Sequence, residues 1–224
     1  MSNISPHKWM PLFPKLADDH VTRLFLALAL FLIAGFVIYL PAWLLDPRML
    51  DGAAVWTKPQ KFNISLSLHF LTLALLAQLL PKTIRTGWPV RIFAYLSAIA
   101  LVFEFVYVAI QAGRARRSHF NFETGFEALM YAMMGLAAFF LMAIALVMAI
   151  QIWRKADRTR KGLWLGSIIG LAVAFVTTVF LIPERQSDLF RHTPVLHKLG
   201  GNLFTSDTQQ IMLGYRGIDI GVYL

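Results

Sequence analysis

Five apolar runs limit what this chain can fold into more than any other feature of its sequence. They cover residues 23–45, 62–80, 90–112, 125–153 and 162–182. About 20 apolar residues in a helix cross a bilayer core about 30 Å thick, and lipid offers no partner to an unpaired backbone group. The sequence therefore predicts an all-α, polytopic helical bundle of about five transmembrane helices within 1–182, followed by a polar extramembrane tail over 183–224.

Composition and charge agree with this fold class. Hydrophobic residues make up 58% of the 224 residues and charged residues only 15%, whereas soluble domains average about 45–50% and about 25%. The net charge of +9 is spread over short loops between the runs, where Lys and Arg contact lipid headgroups and fix topology. We therefore expect membrane lipid as a partner and no nucleic acid. The chain has no cysteine, which excludes disulfides and thiolate metal sites.

Loop charge predicts the orientation in the membrane. Five spans put the N-terminus and the loops at 81–89 and 154–161 on one side. The totals of Lys and Arg barely differ between the two sides, so the short 154–161 loop decides, with five basic residues against one acidic residue. The positive-inside rule places that loop in the cytoplasm. The predicted location is a bacterial inner membrane, with a cytoplasmic N-terminus and a periplasmic or extracellular tail.

The second predicted helix, 62–80, is interrupted by polar residues. Ser65, His69 and Thr72 fall on one face of it. Hydroxyl groups on such a face usually just hydrogen-bond across helices or to their own backbone. Ionisable groups at membrane depth are rare and point to function, so His69 is either a catalytic residue or a neutral structural histidine.

The third predicted helix, 90–112, leads into a polar face. Its members stand at i, i+3, i+7 and i+10, within about 80° of one another; they are Glu104, Tyr107, Gln111 and Arg114. A carboxylate at depth either protonates or finds a partner. The face therefore predicts a site with proton-transfer chemistry, or alternatively a structural ion pair.

Glu104 and Arg114 need separate partners. Ten residues separate them, which is about 15 Å along a helix axis, so they cannot pair directly. The candidate partners of Glu104 are Lys58, Lys61 and His69, and we expect it to meet a group from the second helix such as His69. Arg114 is expected near the headgroup level, beside Lys58, Lys61 or Asn121.

The predicted topology brings several polar groups to one membrane face. This face holds the 56–61 segment, the 111–123 segment, and His192 and His197 of the tail. The second and fourth helices also begin there, and helix N-termini attract anions through free N–H groups and the helix dipole. An anionic amphipathic ligand, such as a lipid phosphate or polyprenyl phosphate, suits this arrangement.

The fourth and fifth predicted helices carry structural signals. Thr124 followed by Glu127 fits a capping box that opens the fourth helix. The fifth helix carries small residues at every fourth position: Gly162, Gly166, Gly170, Ala174 and Thr178. Such a ridge lets helix backbones approach closely, and its partner is a helix of this chain, another subunit or a second copy. Leu in place of Gly166 or Gly170 is expected to cost assembly.

Two strings resemble an uncharacterised family of bacterial multi-spanning membrane proteins. They are Lys58-Pro59-Gln60-Lys61-Phe62, and Gln111-Ala112-Gly113-Arg114 followed by Ser118-His119-Phe120-Asn121. The likeness covers roughly a third of the chain. In that family glycine usually follows the arginine and further spans follow the fifth helix, whereas Ala115 and a polar tail stand here. The resemblance groups Lys58, Lys61, Gln111, Arg114, Ser118, His119 and Asn121 as one constellation and implies no reaction.

The residues together predict a membrane protein that binds or processes a lipid-like anionic ligand at its outer face. The predicted catalytic residues are Glu104, His119 and His69; the predicted ligand-binding residues are Lys58, Lys61, Tyr107, Gln111, Arg114, Ser118 and Asn121. The main alternative is a non-catalytic accessory or assembly subunit. A histidine metal or haem site is weaker, because no HxxxH pair lies within a span, and a transporter is a further alternative. The sequence leaves the cofactor open and predicts no metal.

Overall fold

The computed structural model describes residues 18–159 and 161–191, with side chains to residue 178. The elements in chain order are α1 His20–Leu45, β1 Met49–Leu50, β2 Ala53–Ala54, α2 Thr57–Ala77, α3 Lys82–Arg85, α4 Trp88–Gly113, α5 Gly125–Lys155 and α6 Lys161–Arg191. The predicted all-α bundle is confirmed, and the five predicted helices correspond to α1, α2, α4, α5 and α6.

Within the described residues, four helices rather than five have the length and apolar character to cross a membrane. These are α1, α4, α5 and α6 as far as Thr178. The predicted second span, α2, falls short because Gln60, Asn63 and Ser67 lie within it, and all three are buried against other helices. Lipid does not provide hydrogen bonds, so a helix with this polar content needs protein around it.

Side-chain caps fix where α1 and α5 begin. The Asp19 carboxylate accepts hydrogen bonds from the backbone N–H groups of Val21 and Thr22, at 3.0 and 2.9 Å. The Thr124 hydroxyl accepts from the N–H of Glu127 at 3.2 Å. The predicted capping box is therefore half formed, because the Glu127 carboxylate is directed to arginines described below and not to the N-cap.

The helices pack as α1 on α2, α4 on α5 and α5 on α6, with α1 and α2 also touching α4. One apolar core runs through the bundle, with Phe25, Phe70, Leu101 and Ile144 fully buried. Buried side chains of this size each contribute roughly 1.5–3 kcal/mol when they leave water.

Gly35 forms a notch in α1 that admits α4. A Cβ atom at Gly35 would lie 2.7 Å from the Phe105 ring, so only glycine fits without movement. The Phe105 ring is flanked by Phe31 and Tyr39, one turn to either side of the notch, with ring centroids 4.6 and 5.5 Å away. Three residues of α1 therefore surround the Phe105 ring, and this contact sets the register of α4 against α1.

The glycine ridge of α6 has no close neighbour within the described bundle. Among described residues, no heavy atom outside the helix lies within 4 Å of a Cβ built at Gly162, Gly166 or Gly170. Among the described residues, these three glycines therefore have no internal packing partner, because α6 turns other side chains, including buried Ser167 and Leu171, toward the bundle. The other two alternatives, another subunit and a second copy, stay open. The helix also continues to Arg191, past the predicted end at residue 182.

Candidate functional site

The loops that join α1 to α2 and α4 to α5 meet at one end of the bundle. The first is a hairpin of β1 and β2 whose Asp51–Gly52 turn has φ values of +52° and +81°. Asp-Gly suits such a two-residue turn. Arg48 donates to the carbonyl of Gly113 at 2.9 Å, and Arg117 donates to both Asp51 carboxylate oxygens at 2.8 and 2.6 Å. These contacts hold the two loops together as one surface.

The end of α4 is shaped by a left-handed residue. Ala115 has φ +52°, the N–H of Arg116 donates to the carbonyl of Gln111 at 2.9 Å, and the N–H of Ala115 donates to Ala112 at 3.0 Å. This is the Schellman arrangement, in which glycine is the usual left-handed residue. The turn brings Ser118 and His119 back toward α2.

The central contact joins α2 to this loop. The Lys58 ammonium nitrogen lies 2.9 Å from Nδ1 of His119, and the Ser118 hydroxyl lies 3.1 Å from the same nitrogen. An ammonium group only donates, so Nδ1 is the acceptor and the ring proton lies on Nε2. Burial, helped by the charge of Lys58, lowers the pKa of His119 from 6.5 to about 3. The imidazole is therefore neutral at neutral pH.

Glu104 is a second group that interacts with Lys58. Its side chain is buried, and within the described chain its Oε1 atom has no hydrogen-bond partner. The charge of Lys58 acts on Glu104. No carboxylate oxygen lies within 4 Å of Lys58 in the part of the chain that is described. A buried carboxyl and an exposed ammonium thus face each other without a closed ion pair.

The predicted contact between Glu104 and His69 is wrong. Nε2 of His69 lies 3.1 Å from the carbonyl of Leu141 in α5, and its ring packs edge-on against Phe70. The sequence placed His69 on the correct helix but could not show which neighbour its face meets. His69 ties α2 to α5 through a backbone carbonyl, as expected of the structural histidine that the sequence left open.

Tyr107, Gln111 and Arg114 form one chain of contacts, as their spacing predicts. The Gln111 amide donates to the Tyr107 hydroxyl at 2.8 Å, and Arg114 donates to Gln111 Oε1 at 3.2 Å. Arg114 also lies 3.7 Å from Glu127, a partner that was not among the expected neighbours Lys58, Lys61 and Asn121.

The reason for this placement is that Glu127 is a buried carboxylate at the start of α5. Its exposed fraction is 2%, and Arg116 approaches it at 3.2 Å in addition to Arg114. Buried carboxylates are retained where cations and hydrogen bonds compensate them. Arg114 and Arg116 therefore stabilise the loop, which leaves Lys58 as the cation facing Glu104.

The remaining predicted residues differ in burial and in whether the structure describes them. Asn121 is buried and shapes the loop, donating to the carbonyl of Arg117 at 3.2 Å and accepting from the N–H of Glu123 at 3.1 Å. Lys61 is exposed, three residues after Lys58 on α2. His192 and His197 lie outside the described residues.

Sequence reasoning missed a second polar cluster at the opposite end of the bundle. Arg85 donates from Nε to Asp19 Oδ2 at 2.6 Å and contacts Asp18, Gln78 and the carbonyl of Leu80 through its other nitrogens. Burial alone raises the pKa of Asp19, but hydrogen bonds from Thr22 and Arg85 outweigh this and hold it below its ordinary value. The Asp-Asp pair directly before the first apolar run was a readable N-cap signal.

Buried amides also face α1 from α2. Gln60 donates to the carbonyl of Phe36 at 3.1 Å. Its Oε1 atom and both amide atoms of Asn63 have no hydrogen-bond partner among the described residues. No group of three or more His, Asp or Glu residues suited to a metal ion occurs in the described ranges.

Comparisons with known proteins identify no relative of this chain. A scan against protein-family models, a search of curated proteins and a search of solved structures each return no match.

Proposed function

We propose that this membrane protein binds an anionic amphipathic ligand at the face formed by the hairpin and the loop after α4. The observation that carries the proposal is the Lys58 ammonium, exposed and held 2.9 Å from a neutral imidazole beside a buried carboxyl. A cation with a neutral acceptor keeps most of its charge available to an incoming anion. Arg114, Arg116 and Arg117 are bound to carboxylates and contribute less.

The ligand is amphipathic because the site lies where apolar helices end. Its charged head contacts Lys58, with Lys61 one turn further along, while its apolar part extends beside α2 and α4 in the bilayer. This face is the outer one in the orientation that the basic loop after α5 favours. A lipid phosphate has the required charge and shape.

The same groups support proton transfer. With Nδ1 of His119 occupied by Lys58, its Nε2–H is a donor, and the unpartnered Oε1 of Glu104 is an acceptor. A general acid and a general base must lie within hydrogen-bond reach of the reacting group. His119 contacts Lys58 directly and Glu104 interacts with its charge, so a head group bound to Lys58 would lie near both.

Ligand retention by Lys58 variants tests this proposal. We expect wild-type protein purified in mild detergent to retain anionic lipid in native mass spectrometry, and Lys58→Gln to retain fewer lipid molecules than the wild type. Lys82→Gln is the matched control, since Lys82 is an exposed lysine at the opposite end. Equal retention in all three proteins contradicts the proposal.

A second candidate is the accessory or assembly subunit. It is favoured by the open glycine positions of α6, where a helix from another chain can approach closely. Native mass spectrometry distinguishes the two: a co-purifying polypeptide that is lost in Gly166→Leu supports the subunit, and a retained lipid supports the ligand-binding protein.

A further inference from the structure

A second basic site lies at the opposite end of the bundle, where α5 ends. A cleft of about 490 Å³ is lined by Trp153, Arg154, Lys155 and Arg158. Three of its four lining residues are cations and none is acidic. Across the described ranges, none of these cations has a carboxylate oxygen within 4 Å. The cleft therefore carries positive charge that the described protein does not neutralise by direct pairing.

Arg158 is held in place at this cleft. It donates to the carbonyl of Trp153 at 3.2 Å, and its guanidinium carbon lies 5.0 Å from the ring centroid of Trp164. Trp164 in turn donates from its indole nitrogen to the carbonyl of Ile152 at 3.1 Å. These contacts join the end of α5 to the start of α6. They fix the guanidinium before any ligand arrives, so little side-chain entropy is lost on binding.

Helix-end electrostatics do not account for the whole cluster. Arg154 and Lys155 lie in the last turn of α5, where cations favour the helix dipole. Arg158 lies beyond the helix end, and its cation–π contact leaves its donors free for more than one acceptor. Trp153 is 54% exposed, and tryptophan at the end of a span is typical of the membrane interface.

We propose that this cleft binds the headgroup of an anionic phospholipid. Arg158, Arg154 and Lys155 contact the phosphate, and Trp153 lies at the level of the glycerol. A lipid is favoured over a soluble anion because apolar side chains next to the cleft in sequence, Ile150 and Leu163, are 40% and 44% exposed and face acyl chains. The site is separate from Lys58, which lies at the other end of the bundle.

Native mass spectrometry with added phosphatidylglycerol tests the site. In the double variant Arg154→Gln/Lys155→Gln, we expect the dissociation constant for phosphatidylglycerol to rise roughly 25-fold, about fivefold for each lost cation. Binding of phosphatidylcholine should not change. Arg91→Gln, which removes an exposed cation at the same end but outside the cleft, should bind phosphatidylglycerol like wild type. An equal loss in Arg91→Gln, or no loss in the double variant, overturns the proposal.

Two further measurements keep the result interpretable. Arg158→Lys keeps the charge but loses the guanidinium contact with the Trp164 ring, so we expect a smaller loss of phosphatidylglycerol binding than in the double variant. This variant tests the site even if the double variant does not accumulate. Unchanged binding in Arg158→Lys contradicts the site. Displacement of phosphatidylglycerol by millimolar inorganic phosphate overturns the lipid assignment in favour of a soluble anion. Lys58→Gln should keep the cleft lipid, so the failure of one site is distinguishable from the failure of the other.

Discussion

The two polar clusters at opposite ends of the bundle differ in how completely their charged groups are paired. Arg85 is 6% exposed and donates to two aspartates, one amide and one carbonyl. Lys58 is exposed and has a neutral imidazole as its hydrogen-bond acceptor, while the Glu104 carboxyl beside it keeps an unpartnered oxygen. A buried charge is costly unless it is paired and hydrogen-bonded. The Arg85 cluster meets that condition and is structural, whereas the Lys58 cluster does not meet it, which is why we propose it as the ligand site.

The Arg85 end should give the largest effect on stability. Arg85→Gln leaves the Asp19 carboxylate buried without its cation, which typically costs about 3–5 kcal/mol. We expect low folded yield and a large drop in the thermal unfolding midpoint. Lys82→Gln, an exposed neighbour, should change stability by less than about 1 kcal/mol. A wild-type midpoint for Arg85→Gln would show that the Arg85 cluster does not stabilise the fold.

The Lys58 end should give a large effect on ligand and a small one on stability. Glu104→Gln keeps the shape of the side chain and removes its charge, so we expect near-normal yield with loss of proton-transfer activity toward the bound ligand. A structural ion pair predicts the reverse, since breaking it costs about 3–5 kcal/mol. Folded yield and retained lipid in Glu104→Gln and Arg114→Gln separate these readings. Normal yield with normal retention in both variants contradicts the proposed site.

Acid should act on the two ends in different pH windows. The folded-state pKa of His119 is about 3, below its ordinary value of 6.5, so its neutral form favours the folded state fully above pH 6.5. That contribution declines as the pH falls from 6.5 toward 3. The pKa of Asp19 is also lowered from 3.8, and its contribution is lost only below about pH 4.

Unfolding midpoints between pH 7 and pH 5 therefore distinguish His119 from Asp19. The midpoint should fall with pH in the wild type, fall less in His119→Gln and fall as in the wild type in Asp19→Asn. If His119→Gln keeps the full pH dependence, the imidazole is not held neutral by its surroundings.

Ala115→Gly should give the smallest effect and the only gain. A left-handed conformation costs a residue other than glycine about 1–2 kcal/mol, and glycine loses about 0.5–1 kcal/mol through chain entropy. We expect a net stabilisation of roughly 0.5–1 kcal/mol, measured by thermal unfolding, with unchanged lipid retention. A loss of stability shows that the loop carrying Ser118 and His119 relies on the alanine methyl group.

Local periodicity predicted most of the fold and part of the site. The spacing of Tyr107, Gln111 and Arg114 predicted one polar face, and the structure joins these three side chains. The sequence did not show which helix that face meets, because angular position on one helix contains no information about its neighbours.

The long-range contacts could not be predicted from the sequence for the same reason. Arg85 and Asp19 are 66 residues apart, and no pattern within either segment pairs them. The glycine ridge of α6 predicted close packing, but small residues allow an approach without requiring one. The Asp51–Gly52 turn was readable in principle, since that dipeptide is a strong hairpin signal.

The contact between Gly35 and the Phe105 ring determines how deep the proposed chemistry lies in the membrane. A helix can slide along its neighbour in steps of about 1.5 Å per residue, and each step would carry the next residue after Glu104 to its level. The Phe105 ring, wedged against Gly35 between two other rings, removes that freedom for the adjacent carboxyl. The contacts of the Phe105 ring thus fix the depth of Glu104 in the membrane, although this ring takes no part in the proposed chemistry. That depth sets how long a ligand must be to reach from the headgroup level to the carboxyl.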